Sequence, residues 1–137
     1  MKEVVHPELQ DTGPAEYSVK EIGQWLHDKQ KNGTIEGYLI LAYLRDNKML
    51  EDCLSLLDLE AIQRKGILFF REHFSGKSVY GWKSVVIHHN GQLSAPYLIE
   101  TNNWVVIVWN HLGDSFRSHS PALRFTGTMP ATEPQSA

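Results

Sequence analysis

The chain of 137 residues carries one thiol, Cys53, and seven histidines, and these are the side chains with the widest chemical reach. A thiol hydrolase needs a histidine to raise thiolate character and a third group to orient that histidine. The order Cys53, then His88 and His89, then Asn102 or Asn103 supplies those types in turn. Cys53, however, also belongs to the series Leu50, Cys53, Leu54, Leu57 and Ala61, spaced i, i+3, i+4, i+7 and i+11, where a free cysteine behaves as a small inert hydrophobe. No catalytic residue is assigned on this basis. The histidines do not compose a metal set. His88 and His89 are adjacent and point to opposite faces of a strand, Glu72-His73 has no second histidine at i+4, and no H-E-x-x-H pair occurs. Neither a glycine-rich phosphate loop nor a G-x-S-x-G elbow is present. The sequence therefore predicts no metal and no cofactor.

Two other groupings remain. His88, His111 and Glu100 are candidate acids or bases for an apolar pocket walled by Trp104, Trp109, Tyr97 and Phe125. The acids Glu21, Asp28, Glu36, Glu51, Asp52 and Glu60 are candidates for a surface that meets another protein with a basic face. The charge balance favours the second grouping. Residues 1–66 hold twelve acids against eight Lys and Arg, net −4, whereas residues 67–137 hold four against five, net +1. The total of −3 argues against duplex nucleic acid as a partner. Stacking of single strands on Tyr80, Trp82, Tyr97, Trp104 and Trp109 lacks a basic track, because Lys77, Lys83, Arg117 and Arg124 are scattered among those rings.

The elements that must position these residues follow from periodicity. Ser18 and Glu21 have capping-box spacing, so a helix carrying Ile22, Trp25, Leu26 and Lys29 on one face is expected, stopped at Asn32-Gly33. Thr34 caps a second helix, apolar nearly all round, through Ile35, Tyr38, Leu39 and Ala42. The Leu50 to Ala61 series is the third, closed by Arg64, Lys65 and Gly66. Beyond Gly66 the period changes to two. Residues 67–74 read equally as strand or helix. Val79 to His89 and Gln92 to Glu100 read as a hairpin about a two-residue type I′ turn at Asn90-Gly91, and Thr101-Asn102-Asn103 as the next turn. Trp104 to Trp109 is apolar on both faces and is expected at the centre of the sheet, with the broken segments Phe116 to His119 and Ala122 to Thr126 at its edge.

Segregated helices followed by strands predict an α+β fold: three N-terminal helices packed on a four- or five-stranded antiparallel sheet in a single domain. Residues 17–126 form that domain, with a flexible segment over 1–16 and a disordered tail over 127–137, which is poor in apolar residues. Trp25, Leu39, Ala42, Leu50, Leu54, Leu57, Val106 and Val108 are its expected core. No apolar stretch reaches the roughly 20 residues of a membrane span and no secretory leader is evident, so a cytoplasmic location is expected. Asp52-Cys53, Gly66-Ile-Leu-Phe-Phe and Asn90-Gly91-Gln92 are similar to motif fragments of the NlpC/P60 peptidases, but the histidine of that family would fall near Lys83. The layout of helices before a curved sheet resembles the cone-shaped NTF2-like domains, which would imply a small-molecule lyase or isomerase pocket. With no nucleophile, phosphate loop or ligand cluster, the sequence favours a small protein-interaction domain acting as an inhibitor, adaptor or regulatory subunit over either enzyme.

Overall fold

The computed structural model describes the backbone of residues 2–4 and the chain over residues 22–125. In chain order these form β1 (Lys2–Val4), β2 (Ile22–Trp25), α1 (Asp28–Asn32), β3 (Ile35–Glu36), α2 (Gly37–Asp46), a 3-10 turn (Leu50–Asp52), α3 (Leu56–Gln63) and α4 (Ile67–Phe74). Then come β4 (Val79–Tyr80), a second 3-10 turn (Trp82–Ser84), β5 (Val86–His88), β6 (Leu93–Thr101), β7 (Trp104–His111), β8 (Ser115–Phe116) and β9 (Ala122–Phe125). The fold is a mixed α+β arrangement with a mostly antiparallel sheet, in which four helices interleave with strands.

One side of β6 pairs with β4 and β5, which are two pieces of one interrupted strand, and the other side pairs with β7 along its whole length. Beyond the interrupted strand lie β9, parallel to β4, and β1, antiparallel to β5; β2 completes the sheet against β9. A separate pair joins β3 to β8. Side chains alternate across the sheet, and each face buries a different layer. Tyr80, Ala95 and Ala122 pack with Ile40, Leu41 and Leu44 of α2. Their neighbours Val79, Leu98 and Leu123 pack with Leu59 and Ile62 of α3 and Phe70 and Phe74 of α4. The sheet is thus covered on both faces, not on the single face expected.

Several expectations are corrected. Ile22–Trp25 is a strand, because its pairing with β9 satisfies backbone groups that a helix carrying Gly23 would hold less well. Ser18 and Glu21 lie outside the described residues, as do residues 5–16 and 127–137, on which the flexible segment and tail were placed. Only the short α1 remains of the first helix, capped by His27 and ending at Asn32. The Leu50 to Ala61 series is not one helix. The chain crosses between layers there: Cys53 bridges Arg124, the Leu54 amide donates to the Leu123 carbonyl at 3.1 Å, and Ser55 with Asp58 forms a new capping box for α3. Leu50 and Cys53 therefore join one core and Leu54 the other, while Leu57 is left 58% exposed. Leu39 is likewise 51% exposed, because α2 meets the sheet through Gly37, Ile40, Leu41 and Leu44. A Cβ at Gly37 would lie 2.7 Å from the Phe116 ring, so only glycine permits that approach. Trp25, Ala42, Val106 and Val108 are half-buried.

The turns also differ. Residues 67–74 are helix. Asn90-Gly91 belongs to a type I turn closed by Gly91 N–H to His88 C=O, with Gly91 left-handed at φ 89° and His88 N–H bonded to Gln92 C=O, which is the three-residue bulged hairpin. The type I′ geometry occurs at Asn102-Asn103, where φ is 50° and 67° between the paired residues Thr101 and Trp104. Finally, β7 is an edge among the described strands and β9 is interior, the reverse of the expectation.

Candidate functional site

The sequence-derived candidates separate in space. Cys53 is fully buried, its Sγ lies 3.5 Å from the Met49 carbonyl, and burial pushes its thiol up to about 12, with Arg124 and Lys83 pulling the other way and Asp52 adding to the rise. Of the two histidines and two asparagines that could serve it, His88 places Nε2 2.9 Å from Ser94 Oγ and Asn103 Oδ1 accepts from Arg71 Nη2 at 2.8 Å. Without exposure or an imidazole partner, this thiol is not primed as a nucleophile.

Strand register does bring His88 and His111 together. Ser94 faces Val86 on one side and His111 on the other, and its buried hydroxyl lies 2.9 Å from His88 Nε2 and 3.4 Å from His111 Nδ1. One hydroxyl has a single proton and two lone pairs, so it can donate to one ring and accept from the other, tying β5, β6 and β7 together. Ser94 itself is closed to solvent, which suits a structural tie better than attack on a substrate. Glu100, the third member of the expected pocket, sits six residues further along β6, about 20 Å away. There it accepts from Arg71 Nε at 3.0 Å and from Nη2 at 2.6 Å, and those bonds hold its carboxyl below the ordinary value. Trp109 lies opposite Pro96, and Trp104 lies at the far end of β7, beside Asn103. Among the described residues no group of three metal-ligating side chains occurs.

The acidic set is also divided. Asp28 pairs with Lys31 at 3.5 Å and Asp52 with Arg124 at 3.1 Å, Glu36 is on β3, Glu51 is on the first 3-10 turn, and Glu60 is on α3, across the sheet from α2. Glu21 lies outside the described residues.

What the sequence reading missed is the outer edge of β7. In an antiparallel ladder successive residues direct their N–H and C=O alternately toward and away from the partner strand. The Leu112 amide donates to Leu93 of β6, whereas the Val105 carbonyl accepts from Gln63 Nε2 at 3.0 Å and the His111 carbonyl from the Asp114 amide at 3.2 Å. Odd-numbered residues of β7 therefore face outward. Gln63 and Asp114 close the two ends of the edge, and between them no described residue bonds to the backbone of Ile107. Beside the start of this edge runs a groove of about 330 Å³, lined by Gln63, Gly66, Ile67, Asn103, Trp104 and Val105. Trp104 is 71% exposed at its rim, and Leu68, 76% exposed, follows Ile67 on α4. The groove exists because α3 ends at Gln63, Gly66 turns the chain at φ 94°, and α4 leaves in a new direction. The sequence signal was Arg64-Lys65-Gly66-Ile67-Leu68, where Leu68 belongs to no buried series.

A second hollow, of about 320 Å³, adjoins Trp25, His27 and Tyr43, but Trp25 stacks on Tyr43 at 5.5 Å and His27 meets Tyr43 edge-on at 5.0 Å, so these rings occupy their own contact surface. Comparison with family models, with curated proteins and with solved structures finds no match to this chain. Among the described residues no helix is long and apolar enough to cross a membrane.

Proposed function

We propose that this protein is a protein-interaction domain, acting as an inhibitor, adaptor or regulatory subunit, and that it receives an extended segment of its partner along the outer edge of β7. The observation that carries the reading is the backbone of Ile107, unpaired among the described residues, on a long apolar strand at the edge of the described sheet beside the Trp104 groove. Exposed strand edges are hazards that folded proteins ordinarily blunt with charges, prolines or bulges. Trp104 to His111 contains no Lys, Arg, Asp, Glu or Pro. Strand addition uses such an edge: main-chain hydrogen bonds supply affinity, and side-chain pockets supply selectivity. A tryptophan at the rim of a groove is also the residue type that most often dominates an interface.

The test is affinity capture with the full chain from its native host, run in parallel with Trp104→Ala and Ile107→Pro. Ile107→Pro removes an outward amide and leaves the bonds between β7 and β6. A specific protein retained by the parent chain and lost with both variants is the expected result. Equal retention by all three chains would sink the reading.

A further inference from the structure

We infer that the segment received by the Trp104 groove is an apolar stretch flanked by acidic residues; this rests on the reading of the groove as a protein-docking site. The chain as a whole is acidic, at −3, yet residues 63–77, which build the groove's helical wall and continue past it, carry Arg64, Lys65, Arg71 and Lys77 against Glu72 alone. Arg71 is committed to Glu100 and Asn103. Lys65 lies over the Phe69 ring at 5.4 Å, a contact that leaves its charge in solvent. Arg64 and Lys77 have no acidic partner among the described residues. The four cations are not dispersed around the molecule. Arg64 and Lys65 occupy the turn between Gln63 and Gly66, both of which line the groove. Lys77 lines an adjoining hollow of about 340 Å³, which meets the groove at Asn103. The groove is thus apolar through Ile67 and Val105, with Trp104 at its rim, and cations flank it on the turn before Gly66 and in the adjoining hollow.

An occupant that buries apolar side chains in that groove brings its flanks within reach of those cations, where acidic groups gain attraction and basic groups meet repulsion. A protein segment fits better than a lipid surface, because the outward amide and carbonyl of Ile107 need hydrogen-bond partners that acyl chains do not have. Gln63 defines where pairing begins: its side-chain amide already holds the Val105 carbonyl, so the incoming backbone starts at Ile107.

The experiment is selection of a displayed library of random twelve-residue peptides on the immobilised full chain, followed by solution affinities for the enriched sequences. Peptides with Leu, Ile or Phe flanked by Asp or Glu are expected, with binding lost in Trp104→Ala and weakened about tenfold in the Arg64→Glu, Lys65→Glu double variant. Raising salt from about 0.05 M to about 0.5 M should weaken the same peptides. If the enriched peptides depend on Trp104 but are neutral or basic at their flanks, or bind the charge-reversed variant equally, the charge inference falls and the docking site stands. If no peptide binds in a Trp104-dependent way, both fall. Phosphatidylserine-containing vesicles and sedimentation of the chain alone are run beside it. Trp104-dependent binding to vesicles, or a Trp104-dependent dimer, would replace the acidic segment with a membrane or a second copy and overturn the inference.

Discussion

β7 and β9 are strands of the same sheet whose composition and position are inverted. β7 is eight residues long, apolar on both faces, and lies at the edge of the described strands; β9 is four residues long, contains Arg124, and is held between β4 and β2. Leu123 is fully buried, whereas Val106, Ile107 and Val108 are half-buried. The difference teaches that a strand's apolar content fixes how much cover it can use, and that its neighbours decide how much it receives. β9 compensates for its charge locally, since Arg124 Nη2 reaches Asp52 at 3.1 Å and the backbone of Cys53 and Leu54 continues the pairing. β7 has α3 and α4 on one face and only partial cover on the other.

The largest test of that contrast is truncation on each strand. Leu123→Ala should cost about 3 kcal/mol and Val108→Ala about 1 kcal/mol in urea unfolding, because only the first leaves a closed cavity. Equal losses would mean that β7 is as enclosed as β9. Proline sharpens the comparison within β7. Val106→Pro deletes a bond to β6 and should cost about 3 kcal/mol, while Ile107→Pro, whose amide faces outward, should cost about half as much. A reversed order would show that the outward and inward positions have been exchanged.

Amide exchange reads the same alternation without mutation. The Ile107 amide should exchange at least about a hundredfold faster than those of Val106 and Val108, and comparable protection at all three would indicate that the edge is covered.

Cys53, bridged to β9, reports how dry that side is. Its thiol is raised from 9.0 to about 12 in the folded chain, so the folded state holds its proton where the unfolded state releases it. Stability is unaffected below pH 9 and declines as pH rises beyond it, by at most about 1.4 kcal/mol per unit. The Cys53→Ala variant should lack this alkaline component. Native Cys53 should also react slowly with iodoacetamide and rapidly in denaturant, and fast native labelling would contradict its burial.

The smallest effect is expected at Trp104. Trp104→Ala should change stability by no more than about 0.5 kcal/mol, as surface substitutions do. A larger loss would assign Trp104 to the core and remove it from the proposed docking site.

Much of the local structure was legible in the sequence. The apolar series around Ile40 and Leu44 forms α2, Gly66 stands at the break between α3 and α4 with a positive φ, as the N-cap of α4 and not the C-terminal glycine of α3, and the strand character of Leu93–Thr101 and Trp104–His111 was visible in their β-branched and aromatic content. Three readings failed for one physical reason. Ile22–Trp25, the Leu50 to Ala61 series and the break at Gly81–Val85 each depend on a distant backbone partner: Phe125 to Ala122 for the first, Leu123 and Arg124 for the second, and the Pro96 and Leu54 carbonyls for the third. A window of a dozen residues contains no information about such partners, and the bonds they supply outweigh local propensity.

The candidate site divides along the same line. Its residue types were readable, since Trp104, Asn103 and the cations of the Arg64-Lys65-Gly66 turn are evident in the sequence. That Gln63 and Gly66, on either side of those cations, line one groove with Asn103 and Trp104 was not, because Trp104 is 38 positions from Gly66 and only the packing of α3 and α4 against β7 unites them. By itself the sequence determined the mixed α+β class, the strands Leu93–Thr101 and Trp104–His111 and several of the places where the chain turns, because those follow from side-chain periodicity and from glycine and asparagine geometry. Tertiary structure alone decided which strand became the edge. The ladder can satisfy both sides of only its interior strands, and among the described strands the short β9 gained partners on each side while the long β7 gained β6 alone.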